Sequence, residues 1–183
     1  WRGLVFFCAI IGFIVGIKQF RKTEKGLRTT DAIALKIPVV GSLIQRVAVA
    51  KFTRTLGTLL TSGVPILEGL LIVSRTAGNK VVEDAIMATR QSVSEGKTLA
   101  DPLGKAKVFP AMVVSMISVG EATGALDNML NKIADFYDDE VDSAVAALTS
   151  MLEPMLMVFL GITVGFVIVA MYMPIFQMGA AAG

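Results

Sequence analysis

Histidine is absent from this sequence of 183 residues, and cysteine occurs only once, as Cys8. Without histidine the chain lacks the commonest general base of enzymes and the commonest protein ligand of zinc. A single cysteine cannot form a disulfide within the chain, so the cysteine content does not indicate an oxidising compartment. These absences argue against the common hydrolytic and zinc-dependent enzyme classes and predict neither a catalytic residue nor a metal site.

Charged residues are also scarce. They make up 17% of the sequence, hydrophobic residues make up 54%, and the mean hydropathy is +0.70. Soluble globular chains carry about a quarter charged residues and are less apolar. The net charge of +2 gives no overall basic field of the kind that binds nucleic acid. Since the apolar excess lies mainly at the two ends, the composition indicates a membrane protein with a polar middle.

The sequence has two long apolar segments, one near each end. The second contains no charged residue from Met155 to Phe176, and no charged side chain follows Glu153. At ~1.5 Å per residue a helix of this length spans about 33 Å, enough to cross a hydrocarbon core of ~30 Å. A buried helix in a soluble core is the alternative, but so small a domain rarely encloses such a run. Gly161 and Gly165 have the spacing that lets a second helix approach closely.

The first apolar segment, residues 3–17, would span only about 22 Å as a helix. We expect it to be a membrane helix whose beginning lies before Trp1. It also has the length of the apolar core of a signal peptide, although the sequence around Ile17 is a poor cleavage site. Gly12 and Gly16 repeat the four-residue glycine spacing of the last segment.

Basic residues follow the first segment directly and predict the orientation of the chain. Only Glu24 opposes them in this stretch. Lysine and arginine accumulate on the cytoplasmic side of membrane segments, where they also favour anionic lipid headgroups. The residues between the two segments should therefore be cytoplasmic, and both ends of the chain should lie on the other side. The basic residues are Lys18, Arg21, Lys22, Lys25 and Arg28.

The middle of the chain shows helical periodicity interrupted by turn residues, and no stretch alternates with the period of a strand. Gly26–Gly41 reads as a connector, and helical patterning begins near Ser42. Breaks follow at Gly63 with Pro65, at Asn79 and at Gly96, where glycine, proline and asparagine suit helix ends and starts. The pattern predicts an all-α, antiparallel bundle of about six helices.

Two further features concern the last helix. Gly120, Glu121 and Gly124 lie in a short Gly-Glu-Ala-Thr-Gly segment that reads as a tight link. The helical stripe that begins at Leu126 then meets no stop before Glu153 and Pro154, so it should run into the membrane and kink where it enters.

Three segments have a weak resemblance to chemical sites. Gly96-Lys97-Thr98 matches the end of a phosphate-binding loop, but Gln91 stands where that loop needs glycine. Glu121 has no histidine or second acid near it in sequence, so a structural hydrogen bond is the better interpretation than catalysis. Closely spaced carboxylates from Asp135 to Asp142 would either bind a cation or face a basic partner. For partner binding the candidate residues are Lys51, Arg54, Asp138, Asp139 and Glu140.

Several segments together resemble a known family, the type II secretion F and type IV pilus platform proteins (PilC-like and GspF-like). The similarity is strongest at Gly120-Glu121-Ala122-Thr123-Gly124-Ala125-Leu126-Asp127, and it covers nearly the whole chain. Further matching segments are Pro38-Val39-Val40-Gly41, Phe52-Thr53-Arg54-Thr55-Leu56, Ser62-Gly63-Val64-Pro65, Leu152-Glu153-Pro154 and Tyr172-Met173-Pro174-Ile175-Phe176.

The resemblance implies two homologous cytoplasmic helical domains and three membrane helices in the whole protein, of which this chain holds the second domain and last two helices. The expected segments are a membrane helix (1–17), a basic connector (18–42), a helical-bundle domain (43–150), a membrane helix (151–177) and a short non-cytoplasmic tail (178–183).

The function that the resemblance implies is a non-enzymatic platform without cofactors in the bacterial inner membrane. It would be a homo-oligomer that couples a cytoplasmic ATPase to pilin or pseudopilin subunits, alongside other inner-membrane assembly proteins and lipid. Pilus assembly is the main interpretation, and the F-type platform of a type II secretion system is the alternative. A small oligomeric transporter subunit is the alternative of another class. Charge reversal at Lys51, Arg54 or the acidic cluster should weaken ATPase binding without unfolding the helical domain between the two membrane segments, which we call the body.

Overall fold

A computed structural model describes residues 23–181 of the chain. Within this range the regular secondary structure is entirely helical, which confirms the predicted all-α class for the described part. The predicted first membrane segment, residues 3–17, lies outside it. The helices are α1 (Glu24–Lys36), α2 (Pro38–Thr61), α3 (Ile66–Thr76), α4 (Lys80–Ser94), α5 (Ala100–Lys105), α6 (Ala111–Thr123) and α7 (Leu126–Ala181).

The start of the body differs from the sequence-based expectation. Most of the predicted connector Gly26–Gly41 is helical, and α2 begins at Pro38 instead of near Ser42. Proline fits the first turn of a helix because the N–H it lacks would have no partner there. Gly41 lies inside α2, where an added Cβ would overlap the carbonyl group of Leu35. Most of the predicted connector is therefore helix, and Pro38 and Gly41 lie at a bend between α1 and α2.

The breaks after α2 and α3 lie where the turn residues predict them. Gly63 has a φ of 82°, a left-handed conformation that favours glycine. Pro65 is the N-cap residue of α3, one position before Ile66, the first helical residue, although the sequence favours proline as the first residue of that helix. Asn79 caps α4, because its side-chain oxygen accepts from the N–H groups of Val81 and Val82.

The hydrophobic core of the body is built by α2, α3, α4, α5, α6 and the first turns of α7. Phe52 is 1% exposed, and its ring centroid lies 5.0 Å from that of Phe109 at an interplanar angle of 58°. This tilted arrangement suits the quadrupoles of two aromatic rings. Among the other core residues are Leu56, Leu70, Val73, Val82, Ile86, Leu99, Leu103, Val113, Ile117, Leu130 and Ile133.

The chain forms two compact units that meet in sequence between Val141 and Asp142. The second unit consists of the later part of α7, and its large apolar side chains from Met151 to Tyr172 are 47% to 74% exposed. Leu126–Tyr172 is long and apolar enough to cross a membrane, with a mean hydropathy of 2.4 in its most apolar window. The buried core helix that was the alternative does not fit this exposure.

Candidate interaction site

Arg54 on α2 joins two carboxylates on α7. Its Nη2 lies 2.7 Å from Oδ1 of Asp135 and 2.7 Å from Oδ2 of Asp138, and it donates a hydrogen bond to each. The two aspartates are three positions apart, so they share one face of the helix. Arg54 and Asp138, two of the residues predicted to bind a partner, are therefore paired with each other, and Asp135 of the acidic cluster pairs with the same arginine.

A second arginine of α2, Arg46, makes a similar contact with α7 at another point along the same two helices. Nη1 of Arg46 lies 3.0 Å from Oε2 of Glu140, and it also donates to the Glu140 carbonyl oxygen at 3.4 Å. Arg46 precedes Arg54, whereas Glu140 follows Asp135 and Asp138. The two helices therefore run in opposite directions along this row of ion pairs.

These ion pairs are exposed, so each contributes little to stability. The side chains of Arg54, Asp135 and Asp138 are 43%, 70% and 51% exposed, and pairs of this kind are worth about 1 kcal/mol or less. The hydrogen bond to Asp138, followed by that to Asp135, raises the pKa of Arg54. The row fixes the register between α2 and α7 more than it holds the body together.

The residues predicted to bind a partner consequently fall into two groups. Arg54, Asp138 and Glu140 have ion-pair partners inside the body. Lys51 and Asp139 are exposed, and no oppositely charged group among residues 23–181 lies within ion-pair distance of either. Lys51 and Asp139 are thus the members of the set that keep their charge available for another molecule.

The predicted glycine-bounded link is shorter in the structure than in the sequence-based expectation. Gly120 and Glu121 belong to the last turn of α6, and only Gly124, with a φ of 69°, takes the left-handed conformation of a helix cap. Gly120 is needed for a different reason, because an added Cβ would lie 3.0 Å from the Cβ of Met129 on α7. The motif therefore combines a close helix approach with a helix end.

Glu121 accepts a hydrogen bond from the backbone N–H of Leu99, 22 positions earlier. The amide nitrogen lies 2.9 Å from Oε1 and 3.0 Å from Oε2. Leu99 precedes α5 and is fully buried, so its amide has little access to water. The carboxylate thus ties α6 to the start of α5, which agrees with a structural role for Glu121.

We predict that Glu121→Ala lowers the free energy of unfolding by about 1–3 kcal/mol, because the buried amide of Leu99 loses its acceptor. Glu121→Gln should cost less, since its side-chain carbonyl can still accept that hydrogen bond. Urea unfolding of the detergent-solubilised chain, followed by circular dichroism, measures both. Equal midpoints for the alanine variant and the unchanged chain would contradict this role.

The remaining candidate sites have simpler explanations in the structure. Gly96 has a φ of 81° and follows the end of α4, so the Gly-Lys-Thr segment forms a helix end. Lys97 pairs with Glu95 at 2.8 Å. Among residues 23–181 no group of three or more acidic or cysteine side chains is placed to hold a metal ion. Glu153 and Pro154 lie inside α7, and the membrane-entry kink remains a prediction.

Sequence reasoning missed the contacts that attach α1 to the body. Oδ2 of Asp31 accepts from the backbone N–H of Lys80 at 2.7 Å, and Arg28 forms an ion pair with Asp84 at 3.1 Å. Asn79 accepts from the amides of Val81 and Val82 with its side chain and from that of Glu83 with its carbonyl oxygen, so Asp31 completes the set of acceptors at the start of α4. The acceptor and its amide are 49 positions apart, so no local pattern indicates the contact.

The chain is similar in sequence to a known protein family and to several named proteins. Residues 52–174 match the family model described as Type II secretion system (T2SS), protein F. The chain is 53% identical over 94% of its length to the type IV pilus assembly protein PilC of Myxococcus xanthus, covering 42% of that protein. It is 48% identical over 91% of its length to PilC of Thermus thermophilus, covering 41%.

A third relative is more distant. The chain is 29% identical over 99% of its length to the type II secretion system protein F of Pseudomonas aeruginosa, and covers 45% of it. The chain therefore spans less than half the length of these relatives. The family match covers most of the body and the apolar part of α7, and the chain belongs to the type II secretion system protein F family.

Proposed function

We propose that this chain is the C-terminal part of an inner-membrane platform protein of a type IV pilus assembly machine. The observation that carries the proposal is the identity of 48–53%, over more than nine-tenths of the chain, to two proteins named for type IV pilus assembly. Type II secretion system F proteins match at lower identities, 29–35%, which favours the pilus over the secretion system.

The proposed arrangement is an antiparallel helical bundle in the cytoplasm between two membrane helices, with the segments expected from the sequence. The apolar, exposed part of α7 supports a crossing at residues 151–177. The basic residues from Lys18 to Arg28 support a cytoplasmic body. The kink at Glu153 and Pro154 remains part of this proposal, since proline removes one backbone hydrogen bond of the helix.

The proposed platform has no catalytic activity or cofactor and takes its energy from a cytoplasmic ATPase. It would bind that ATPase, pilin subunits, other inner-membrane assembly proteins, lipid and further copies of itself. The polar contacts of the body support a scaffold, since Glu121, Arg54 and Asp138 all bind within it. A transporter subunit is a weaker candidate, because residues 155–172 contain only Thr163 and Tyr172 as hydrogen-bonding side chains.

Deletion of the gene tests the proposed function directly. A strain without the full-length protein should lose surface pili and keep secretion of folded exoproteins, and the full-length gene should restore the pili. Loss of exoprotein secretion with normal pili would identify the secretion-system platform instead. ATP hydrolysis by the purified protein without its partner would contradict a non-enzymatic platform.

We predict that the double charge reversal Lys51→Glu with Asp139→Lys weakens binding of the partner ATPase by about tenfold, a change of ~1.4 kcal/mol. Both charges are exposed and lack an ion-pair partner among the described residues, so the fold should not depend on them. Pull-down with the ATPase measures binding, and circular dichroism checks the fold. Unchanged binding would place the contact elsewhere on the body.

The matched control for that test is the internal swap Arg54→Asp with Asp135→Arg and Asp138→Arg. It exchanges charges that pair with one another, so opposite charges still face each other across α2 and α7, and ATPase binding should stay unchanged if Lys51 and Asp139 carry it. If the control alone abolishes ATPase binding, the ion-pair row and not the free charges forms the docking site.

A further inference from the structure

Three large apolar side chains are exposed together where α1 meets α2. Ile33, Ile37 and Val40 lie within eight consecutive positions and are 57%, 45% and 46% exposed. Exposed apolar residues elsewhere in the body up to Val141, such as Met87 or Phe136, have no similarly exposed apolar neighbour within seven positions along the chain, except Met112 and Val119 on α6. We call Ile33, Ile37 and Val40 the apolar tip. A clustered exposed patch of this kind marks a surface that meets another apolar phase.

The backbone holds the apolar tip in a fixed bend. The chain turns by 109° between Gly26–Lys36 and Val40–Thr61, and these two segments together are as long and apolar as a membrane span. The Gly41 N–H donates to the carbonyl oxygen of Ile37 at 2.6 Å. No side chain fits at Gly41, because the Leu35 carbonyl group occupies that space. The bend is therefore a packed corner that keeps the tip in place.

The charge along the chain around the apolar tip is mainly positive, and the nearest carboxylate in sequence, Asp31, accepts a hydrogen bond from the Lys80 amide. No acidic residue occurs between Asp31 and Glu68, and Lys36 is exposed with no ion-pair partner among residues 23–181. Upstream, the sequence carries five basic residues and one acidic residue between Lys18 and Arg28. Exposed apolar side chains beside lysine and arginine are the combination by which amphipathic helices bind anionic lipid surfaces.

The length of chain before α1 allows the apolar tip to reach a membrane. Residues 18–23 separate the apolar segment 3–17 from α1, and six residues reach at most ~20 Å. α1 itself has 13 residues and adds about 20 Å as a helix. If α1 lies along the bilayer surface, the tip is at the headgroups of the bilayer that the first segment is proposed to cross.

We propose that the apolar tip inserts into the headgroup region of the anionic membrane, so that the body has a contact with lipid in addition to its membrane-crossing helices. The inference rests on the proposed membrane arrangement and adds a lipid-binding surface to it. Ile33, Ile37 and Val40 supply the apolar contact, and Lys36 supplies the attraction to lipid phosphate.

Fluorophores on single cysteines test this inference in the full chain, in a Cys8→Ser background. The chain is reconstituted in vesicles of phosphatidylethanolamine and phosphatidylglycerol. The test site is Ile37→Cys, and Val119→Cys is the matched control because Val119 is 51% exposed on α6. Lipid-attached nitroxide should quench the label at position 37 more than aqueous iodide does, with the reverse order at position 119. Lys36→Glu should reduce lipid quenching at position 37.

The outcomes separate this inference from the proposed function. A label at Met157→Cys on α7 reports the crossing, because Met157 is 63% exposed in the apolar part of that helix. Lipid quenching at 157 with iodide quenching at 37 would overturn the apolar tip alone. Iodide quenching at 157 would overturn the proposed crossing. Self-quenching at 37 that disappears on dilution with unlabelled chain would identify a second copy as the occupant and overturn lipid insertion.

Discussion

Phe52→Ala is expected to lower the free energy of unfolding of the body by ~3–5 kcal/mol, because it removes a large side chain from a packed core. Phe52 is 1% exposed and its ring makes a tilted contact with that of Phe109, so truncation leaves a cavity and also removes the aromatic contact. A typical domain has a free energy of unfolding of about 5–15 kcal/mol, so this loss is a large part of the total. Urea unfolding of the detergent-solubilised chain, followed by circular dichroism, measures the change.

Phe136→Ala is the matched control for that experiment. Phe136 is 49% exposed on α7, and its ring contacts Tyr137 at a centroid distance of 5.3 Å. The same atoms are removed from a half-solvated position, so the cost should stay below about 1 kcal/mol. If the two alanine variants unfold at the same urea concentration, the core position of Phe52 is wrong.

Val164→Arg is expected to keep the last segment out of the membrane. Arginine at the centre of a membrane helix costs about 2.5–3.5 kcal/mol on insertion scales, and each 1.4 kcal/mol is a factor of about ten. Val164 lies near the middle of the proposed crossing and is 54% exposed. Alkaline phosphatase fused after Gly183 reports the outcome, since it needs an oxidising compartment to form its disulfides. Its activity should fall about tenfold or more.

The control is the same substitution on the same helix outside the apolar run. Val145 is 48% exposed and precedes the proposed membrane entry, so Val145→Arg should leave phosphatase activity unchanged. A fluorescent protein fused at the same site should respond in the opposite direction, because it folds in the cytoplasm. Equal phosphatase activity in the two variants would contradict a crossing by residues 151–177.

The helices that local sequence predicts well are those with strong end signals. Asn79 can satisfy the first amides of a helix with its own side chain, and Gly63 and Gly96 adopt a conformation that most residues avoid. Such signals need no information from distant parts of the chain. Pro38 and Gly41 show the limit, because proline also starts helices and glycine also permits close packing. The role of each residue depends on the tertiary structure, here on the position of the Leu35 carbonyl group and on the bend between α1 and α2.

The sequence predicts which charged residues belong to the candidate site, but it does not predict which of them pair with one another. Helical spacing predicts that Asp135 and Asp138 share a face, and this holds in the structure. That the same face meets Arg54 depends on how α2 packs against α7, which involves contacts 81 and 84 positions apart. Local charge patterns cannot distinguish a carboxylate reserved for a partner from one already bound within the body.

Asp31 gives the first turn of α4 a property of its own. One acceptor for that turn comes from α1, while Asn79 supplies the acceptors for the other three amides. A pull that lifts α1 from the body would leave one amide, that of Lys80, without its carboxylate while the rest of the cap stays intact. Deuterium uptake at that single amide therefore reports whether a mechanical force has separated α1 from the body.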